Sequence, residues 1–263
     1  MKLVSLNIWG GRVYEPLMEY IKEQSANTDI FCLQEVFFSP SGIMDSHGTH
    51  ANILADLKTI LPSFHALVAP VACGFDNTGP TEADITEAQA TFIKKSSVAR
   101  VDSDGSVFVY GNFRKVNDNE TFADVPHNFH YARFSVGGKK FVVMNVHGVS
   151  EPADKLDTPK RLVQSQKIVD FLRGEPGTKI VCGDFNLLPE TKSVAMIEEA
   201  GMVNLIKKFK TERTRSRLSP FWGRPDFQKF ADYAFVSPDV NVMDFTVPDV
   251  SVSDHLPLVL EFE

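Results

Sequence analysis

Cysteine is scarce in this chain: Cys32, Cys73 and Cys182 are the only three in 263 residues. An odd count, with Cys32 and Cys182 inside apolar runs, excludes a disulfide framework and a thiolate metal cluster and reads as reduced, buried side chains. No stretch approaches the roughly 20 apolar residues that a membrane helix needs. The opening Met-Lys-Leu-Val-Ser-Leu-Asn-Ile-Trp is broken by Asn7 and Gly10-Gly11, with no small-residue cleavage site behind it, so no signal peptide is expected. Positive charge is in deficit, 27 Lys and Arg against 34 Asp and Glu, a formal net charge of -7. That balance argues against a surface built to neutralise a long polyanion, so an anionic substrate needs local cations or a metal. A Gly-x-Ser-x-Gly elbow is missing, which sets aside one serine-hydrolase architecture. Repeats, low-complexity segments and linkers are missing too. What remains, 43% hydrophobic and 23% charged residues, is ordinary for a globular protein. One domain over residues 1–263 is expected, monomeric, cytoplasmic and without stable membrane insertion.

Apolar periodicity predicts strands at 2–8, 29–34, 64–71 and 89–95, and helices at 15–25 and 51–61. Residues 98–111 read as a hairpin turned at Asp102-Ser-Asp-Gly105. A second hairpin, 130–135 with 140–145, turns at Gly137-Gly138. A helix over 157–171, entered through Thr158-Pro159, leads into the strand Lys179-Ile-Val-Cys-Gly-Asp. A helix at 192–200 and strands at 230–236, 240–247 and 252–262 close the chain. The acidic loop with Asp76, Glu82, Asp84 and Glu87 reads as solvated.

Several apolar runs end in polar side chains. Gly183-Asp184-Phe185-Asn186 places Asp and Asn two apart, hence on one face of an extended chain, an acceptor beside a neutral donor and acceptor able to hold a water. Asp and Asn after Gly more often close an Asx-type turn. Glu35 follows Ile-Phe-Cys-Leu-Gln, where a carboxylate is costly to bury unless paired or on a metal; a strand-end Glu reaching water is the bland alternative. Asn145 and His147 share a face at another strand end, Asp232 interrupts Phe-Ala-Asp-Tyr-Ala-Phe-Val, and Asp254-His255 leads the last strand. His47 and His50 read as helix-entry or surface residues, because no partner cluster lies nearby. The run Lys207, Lys208, Lys210, Arg213, Arg215 and Arg217, with Phe209, Phe221, Trp222 and Arg224, is either a solvated face or a contact surface for anions or nucleic acid.

Taken together, Leu6-Asn7, Leu33-Gln34-Glu35, Asn145-Val-His147, Gly183-Asp184-Phe-Asn186, Ala231-Asp232-Tyr233 and Ser253-Asp254-His255 resemble, in order and over almost the whole chain, the motifs of the endonuclease/exonuclease/phosphatase superfamily. These are metal-dependent phosphoesterases related to DNase I, apurinic endonucleases, sphingomyelinases and inositol polyphosphate phosphatases. The resemblance implies an α/β fold, a four-layer sandwich of two mainly antiparallel sheets face to face with helices outside and a cleft at one edge. It implies Mg²⁺ or Mn²⁺ held by Glu35 with Asn7 and Asp254 nearby, directly or through water. Asp184 and Asn186 would handle the attacking water, His255 oriented by Asp232 would act on the phosphate, and His147 would contact phosphoryl oxygens or assist the leaving group. Apurinic endonucleases carry other residues at the His147 position, and inositol polyphosphate 5-phosphatases usually show Cys-Asp-Arg where this chain has Ala231-Asp232-Tyr233. Both branches are therefore disfavoured.

The chemistry stands without the resemblance, since attack on a phosphoester needs neutralised charge, an oriented water and help for the leaving oxygen. The leading expectation is a metal-dependent phosphodiesterase acting on nucleic acid, with Arg12, Lys94, Arg213, Arg215 and Trp222 as candidate substrate contacts. The alternative is a phosphatase or sphingomyelinase-like enzyme for a small phosphoester or lipid headgroup. A catalytically silent binding module is the third reading, and the intact set of polar strand ends argues against it.

Overall fold

The computed structural model describes residues 1–98 and 100–263. Its main strands, numbered in chain order, are β1 (Lys2–Asn7), β2 (Ile30–Phe38), β3 (Phe64–Cys73), β4 (Thr86–Lys94), β5 (Val101–Tyr110), β6 (His127–Val136), β7 (Lys139–His147), β8 (Thr178–Asp184), β9 (Val203–Asn204), β10 (Asp232–Val236), β11 (Val242–Thr246) and β12 (Leu258–Phe262). The longer helices are α1 (Tyr14–Gln24), α2 (Ile53–Ile60), α3 (Pro159–Gly174) and α4 (Lys192–Glu199). One six-stranded sheet runs β11-β12-β1-β2-β4-β3 and the other β9-β10-β8-β7-β6-β5. Only β1/β2 and β7/β8 pair in parallel; the other pairs are antiparallel. Among the described residues no helix is long and apolar enough to cross a membrane.

Alternation along the strands builds the layers. In β1 and β2, Leu3, Ile30 and Cys32 face the second sheet and pack with Phe129, Val143 and Ile180. Their neighbours Val4, Leu6, Phe31 and Leu33 face the other way, against Leu17 and Ile21 of α1 and Ile53, Leu54 and Leu57 of α2. A strand exposes successive side chains on opposite faces, so continuous apolar runs belong to strands covered on both sides. The outer face of the second sheet is covered by Ile168, Val169 and Leu172 of α3 and Val194 and Ile197 of α4. The α/β four-layer sandwich is therefore the observed architecture.

Local signals hold where they are chemically specific. Thr158 caps α3 by accepting from Arg161 N at 3.2 Å, with Pro159 in the first helical turn. Gly137 and Gly138, at φ 57° and 82°, form the two-residue turn that puts Val136 opposite Lys139. The hairpin expected at 98–111 does not form. Asp102-Ser-Asp-Gly105 stays extended within the edge strand β5, with Ser103, Asp104 and Gly105 opposite Arg133, Ala132 and Tyr131 of β6. Arg133 Nη1 donates to Ser103 Oγ at 3.2 Å, and a Cβ on Gly105 would lie 2.6 Å from Tyr131 Oη. Cross-strand packing thus outweighs the turn propensity of Asp-Gly, and charges on an edge strand discourage further pairing. Ala99, inside that span, lies outside the described residues. The acidic loop is not simply solvated either. Asp76 is fully buried and accepts from Ser46 Oγ (2.6 Å), Thr78 N (2.7 Å) and Thr78 Oγ1 (2.6 Å), with His47 Nδ1 at 2.7 Å. Glu87 is 4% exposed.

Candidate active site

Both sheets deliver polar side chains to the same edge. On the second sheet, His147 is opposite Asp184 and Asp184 opposite Asp232, so the ends of β7, β8 and β10 form one rung of His and two Asp. On the first sheet, Asn7 ends β1 beside Gln34, and Glu35 follows. Register shifts between Leu33 and Val36, leaving Gln34 and Glu35 to face the single residue Gln89. Such a bulge re-aims a side chain, and Glu35 accordingly sits at φ 54°. Ser253 Oγ donates to Asn7 O at 2.7 Å, anchoring the 253–255 loop to the end of β1. Behind the edge, Gln34 Nε2 donates to Asn145 Oδ1 at 2.6 Å and locks the two sheets in register.

Glu35 Oε1 accepts from Asn7 Nδ2 at 2.7 Å, and the same nitrogen lies 3.1 Å from Asp184 Oδ2. The Asn7 Oδ1 atom accepts from Trp9 N at 3.0 Å. Asn7 therefore presents its amide nitrogen to Glu35 and Asp184, while its oxygen meets the turn after β1. Burial raises the Glu35 carboxyl above its ordinary value, and the Glu87 and Asp254 carboxylates add to the rise while His147 and Asn7 oppose it. His147 Nδ1 is 3.1 Å from Glu87 Oε1, and its Nε2 is 3.9 Å from Glu35 Oε1. Burial works against its charged form, but Glu87, Asp184 and Glu35 carry it up to about 9.

His255 Nδ1 faces both carboxylate oxygens of Asp232 at 2.9 Å. Its Nε2 lies 2.8 Å from Arg215 Nη1 and 3.6 Å from Asp184 Oδ2. A guanidinium only donates, so Nε2 accepts and the ring proton sits on Nδ1, toward Asp232. Arg215 Nη2 also donates to Asp254 Oδ2 at 2.7 Å and to Ser219 Oγ at 3.2 Å. Burial and Arg215 disfavour an imidazolium, yet Asp232, Asp254 and Asp184 together raise His255 above its ordinary value. Asp184 shows the reverse balance. Burial would raise it, but His255, Lys155, His147 and Arg215 hold it well below the usual carboxylate range.

Asn186, at φ 55°, has its backbone N on Asp184 Oδ1 (2.9 Å) and its Nδ2 on Gly148 O (3.0 Å), while its Oδ1 accepts from Lys155 Nζ. Lys155 is 8% exposed, and burial brings its ammonium down to about 8. Its loop is shaped by the fully buried Arg161, which donates to the carbonyls of Val149, Ser150, Pro152 and Leu156 at 3.2, 3.0, 2.5 and 2.7 Å. A cavity of about 390 Å³ opens above the cluster, and Glu35, Glu87, His147, Lys155, Asp184 and Arg215 are among its walls.

Asn7, Glu35, His147, Asp184, Asn186, Asp232, Asp254 and His255 thus converge on one edge. Of the cationic and aromatic candidates, Arg215 joins them and Phe221 lines the same cavity. Lys94 lies at the far end of β4, seven residues from Glu87 and so roughly 23 Å away along the strand, where it donates to the carbonyls of Ser25 and Ala26. Arg12 lies over Trp9 and donates to His47 O. Arg213 pairs with Asp249 at 2.7 Å and lies over the Trp222 ring, 5.1 Å from its centroid; neither lines the cavity. Lys207, Arg217 and Arg224 likewise pair with Glu198, Asp249 and Asp226. Lys207, Arg213 and Arg217 thus meet acidic partners from other segments, whereas Lys208 and Lys210 have no carboxylate partner among the described residues. Glu87, Lys155 and His127 line the cavity and were not expected from sequence. For Glu87, its place at the start of the run Thr-Glu-Ala-Gln-Ala-Thr-Phe was the available signal.

The family model for the Endonuclease/Exonuclease/phosphatase family matches residues 4–255. The chain belongs to this family. No curated protein matches it significantly in sequence. Among solved structures, a family protein from Bacteroides vulgatus superposes with a TM-score of 0.70 at 20% identity, covering 100% of this chain and 98% of that one. A mannosyl-6-phosphatase from Bacteroides thetaiotaomicron gives 0.68 at 19% identity, with 100% and 99% covered. TDP2 from D. rerio, solved with a single-strand DNA product, gives 0.68 at 16% identity, with 100% and 98% covered. At these identities the likeness shows the fold. Membership of the family makes the chain a phosphoester hydrolase by class.

Proposed function

We propose that this chain is a divalent-metal-dependent hydrolase of small phosphoesters, and that the edge where Glu35, His147, Asp184, Asp254 and His255 meet is its active site. The observation that carries the reading is the placement of Asp184 between His255 and Asn7, facing a cavity that also holds Glu35 and Asp254. The donor set fits a hard cation. Glu35 accepts one hydrogen bond, from Asn7, and lies close enough to Glu87 and Asp254 for their charges to raise its carboxyl, a cluster that gains from added positive charge. Glu35 and Asp254 would hold Mg²⁺ or Mn²⁺, with Asn7 orienting Glu35. Such an ion neutralises phosphate charge and polarises its oxygens. Asp184, Asp232 and His255 also bring donor atoms within 4.8 Å of one another. Asp232 and His255 are each other's partners, however, so this trio is better suited to orienting water and protons.

The residues divide the remaining work. Asp184 Oδ2 aligns the attacking water and takes up its proton, with Asn186 beside it. Asp232 fixes the His255 tautomer, leaving the unprotonated Nε2 to exchange its donor Arg215 for a water whose O–H donates to it. His147, protonated at neutral pH, donates toward the phosphoryl group or the departing oxygen. The two N–H groups of Lys155 not spent on Asn186, together with Arg215, supply further positive charge.

The small-ester reading is favoured over nucleic acid because Glu151, Asp154 and Asp226 line the cavity, and of the basic run only Arg215 reaches it. A second phosphate would be repelled there. Metal-dependent hydrolysis should be screened over phenyl phosphate, bis(p-nitrophenyl) phosphate, sugar phosphates, phosphocholine lipids and oligonucleotides, with chelator and Asp184→Asn as blanks. We expect small esters to be cleaved and Asp184→Asn to lose about 10²- to 10⁴-fold. Efficient cleavage of oligonucleotides with small esters untouched would reverse the substrate choice. No metal-dependent turnover of any phosphoester would sink the reading.

A further inference from the structure

Next to the catalytic cluster, the cavity has a lobe walled by Phe75, Phe122, Val125 and His127. Phe75 and Phe122 meet edge to face with centroids 5.1 Å apart, and Phe75 packs with Val125. His127 opens β6 and stands edge to face against His147, centroids 5.2 Å apart, so it is one ring away from the phosphate-handling residues. It is 4% exposed, and neither Nδ1 nor Nε2 has a hydrogen-bond partner among the described residues. Leaving a buried polar group unpaired costs about 1–3 kcal/mol. An apolar residue would fill the position without that cost, so an imidazole bordering the cavity points to a ligand that completes its bonds.

The chemistry of that ligand follows from the ring. Burial keeps His127 neutral, reinforced by His147 and opposed by Asp184. A neutral imidazole offers one donor and one acceptor. Phosphate oxygens could use only the donor, whereas a hydroxyl matches either nitrogen. The Phe75 and Phe122 rings offer apolar surface for C–H groups. At the rim, Glu151 and Asp154 are acceptors only and call for O–H donors. Resting on the phosphoesterase reading above, we propose that this lobe binds the neutral, hydroxyl-bearing part of the substrate, which is the phosphoester of a sugar or other polyol, with one hydroxyl hydrogen-bonded to His127.

The test compares kcat/KM, with Mg²⁺ or Mn²⁺, for hexose 6-phosphates and glycerol phosphate against cyclohexyl phosphate and a 2′,3′-dideoxynucleotide, which bears no sugar hydroxyl. The best polyol ester should exceed cyclohexyl phosphate by about 100-fold or more, since a site built to bond a hydroxyl discriminates against its loss. A series of singly deoxygenated sugar phosphates should reveal one position that costs about tenfold. His127→Phe should lower the polyol-to-cyclohexyl ratio by about tenfold, and His127→Gln, which keeps a donor and an acceptor, should hold it within threefold. The deoxy series needs no variant and decides the matter if His127→Phe does not fold. Preference for cyclohexyl phosphate or the nucleotide, a flat deoxy series, or an unchanged ratio in folded His127→Phe would overturn the polyol assignment while leaving the phosphoesterase reading intact. Absence of turnover on every phosphoester would overturn both.

Discussion

Arg161 is a sensitive place to perturb the site without touching it. The guanidinium is 0% exposed and sits on α3, with its N–H groups spent on four carbonyls of residues 149–156, the loop that carries Lys155. Its contact with Asp154 Oδ1 is long, 3.4 Å, and that carboxylate is 51% exposed, so the ion pair adds little. The carbonyls set the magnitude. Each buried acceptor left unpaired costs about 1–3 kcal/mol, and a surface loop recovers part of this by relaxing toward water, so Arg161→Met should cost on the order of 2–4 kcal/mol. For a domain of this size 1 kcal/mol moves the melting temperature by about 2–4 °C, which places the fall at roughly 4–16 °C. Arg161→Lys should recover only a minor part, because one ammonium cannot reproduce the planar fork. Thermal and urea melts measure the stability, and kcat and KM on a small ester read the loop. Displacing Lys155 and the Gly148–Asn186 contact should lower kcat/KM by at least tenfold. Melting of Arg161→Lys within 2 °C of wild type with full activity would refute the brace.

Other expectations follow from single geometries. Gly183 has φ 133°, and a Cβ there would lie 2.1 Å from Val146 O, so Gly183→Ala should either fail to fold or melt far below wild type, while Gly174→Ala, with open space around it, should stay within a few degrees. Lys94→Ala should leave turnover of small esters within twofold, since it caps the end of α1 at the opposite end of the sheet; a tenfold loss would mean that the cavity is not the site. His130 is 1% exposed, and burial lowers its pKa below 6.5 against the pull of Asp104. In that window the unfolded chain binds more protons, so the stability contribution is fully present above about 6.5 and is lost as pH falls through the lowered folded value. His130→Gln should flatten the urea-melt stability between pH 7 and pH 5, and an unchanged slope would contradict the assignment.

How far sequence could anticipate the site depends on what positions each residue. Asp184, His147 and Glu35 were legible because each follows a continuous apolar run, and a parallel or antiparallel neighbour then fixes which side chains share an edge. The rung of His147, Asp184 and Asp232 needs only correct strand pairing. Lys155 and His127 were not legible, since neither interrupts an apolar run in a telling way. A lysine in the loop segment Ala-Asp-Lys-Leu is ordinarily solvated; it is buried here because Arg161, from a helix that follows it, folds the loop inward. The basic run was ambiguous for the opposite reason. Its charges look free in one dimension, and the carboxylates that pair Lys207, Arg213 and Arg224, namely Glu198, Asp249 and Asp226, are fixed only by tertiary structure. On the function proposed above, the same distinction separates chemistry from specificity. Strand ends would set what can be done to a phosphate, and the loops that carry Phe122 and Glu151 what the phosphate is attached to. Exchanging the loop residues should therefore alter substrate preference while the requirement for Asp184 persists.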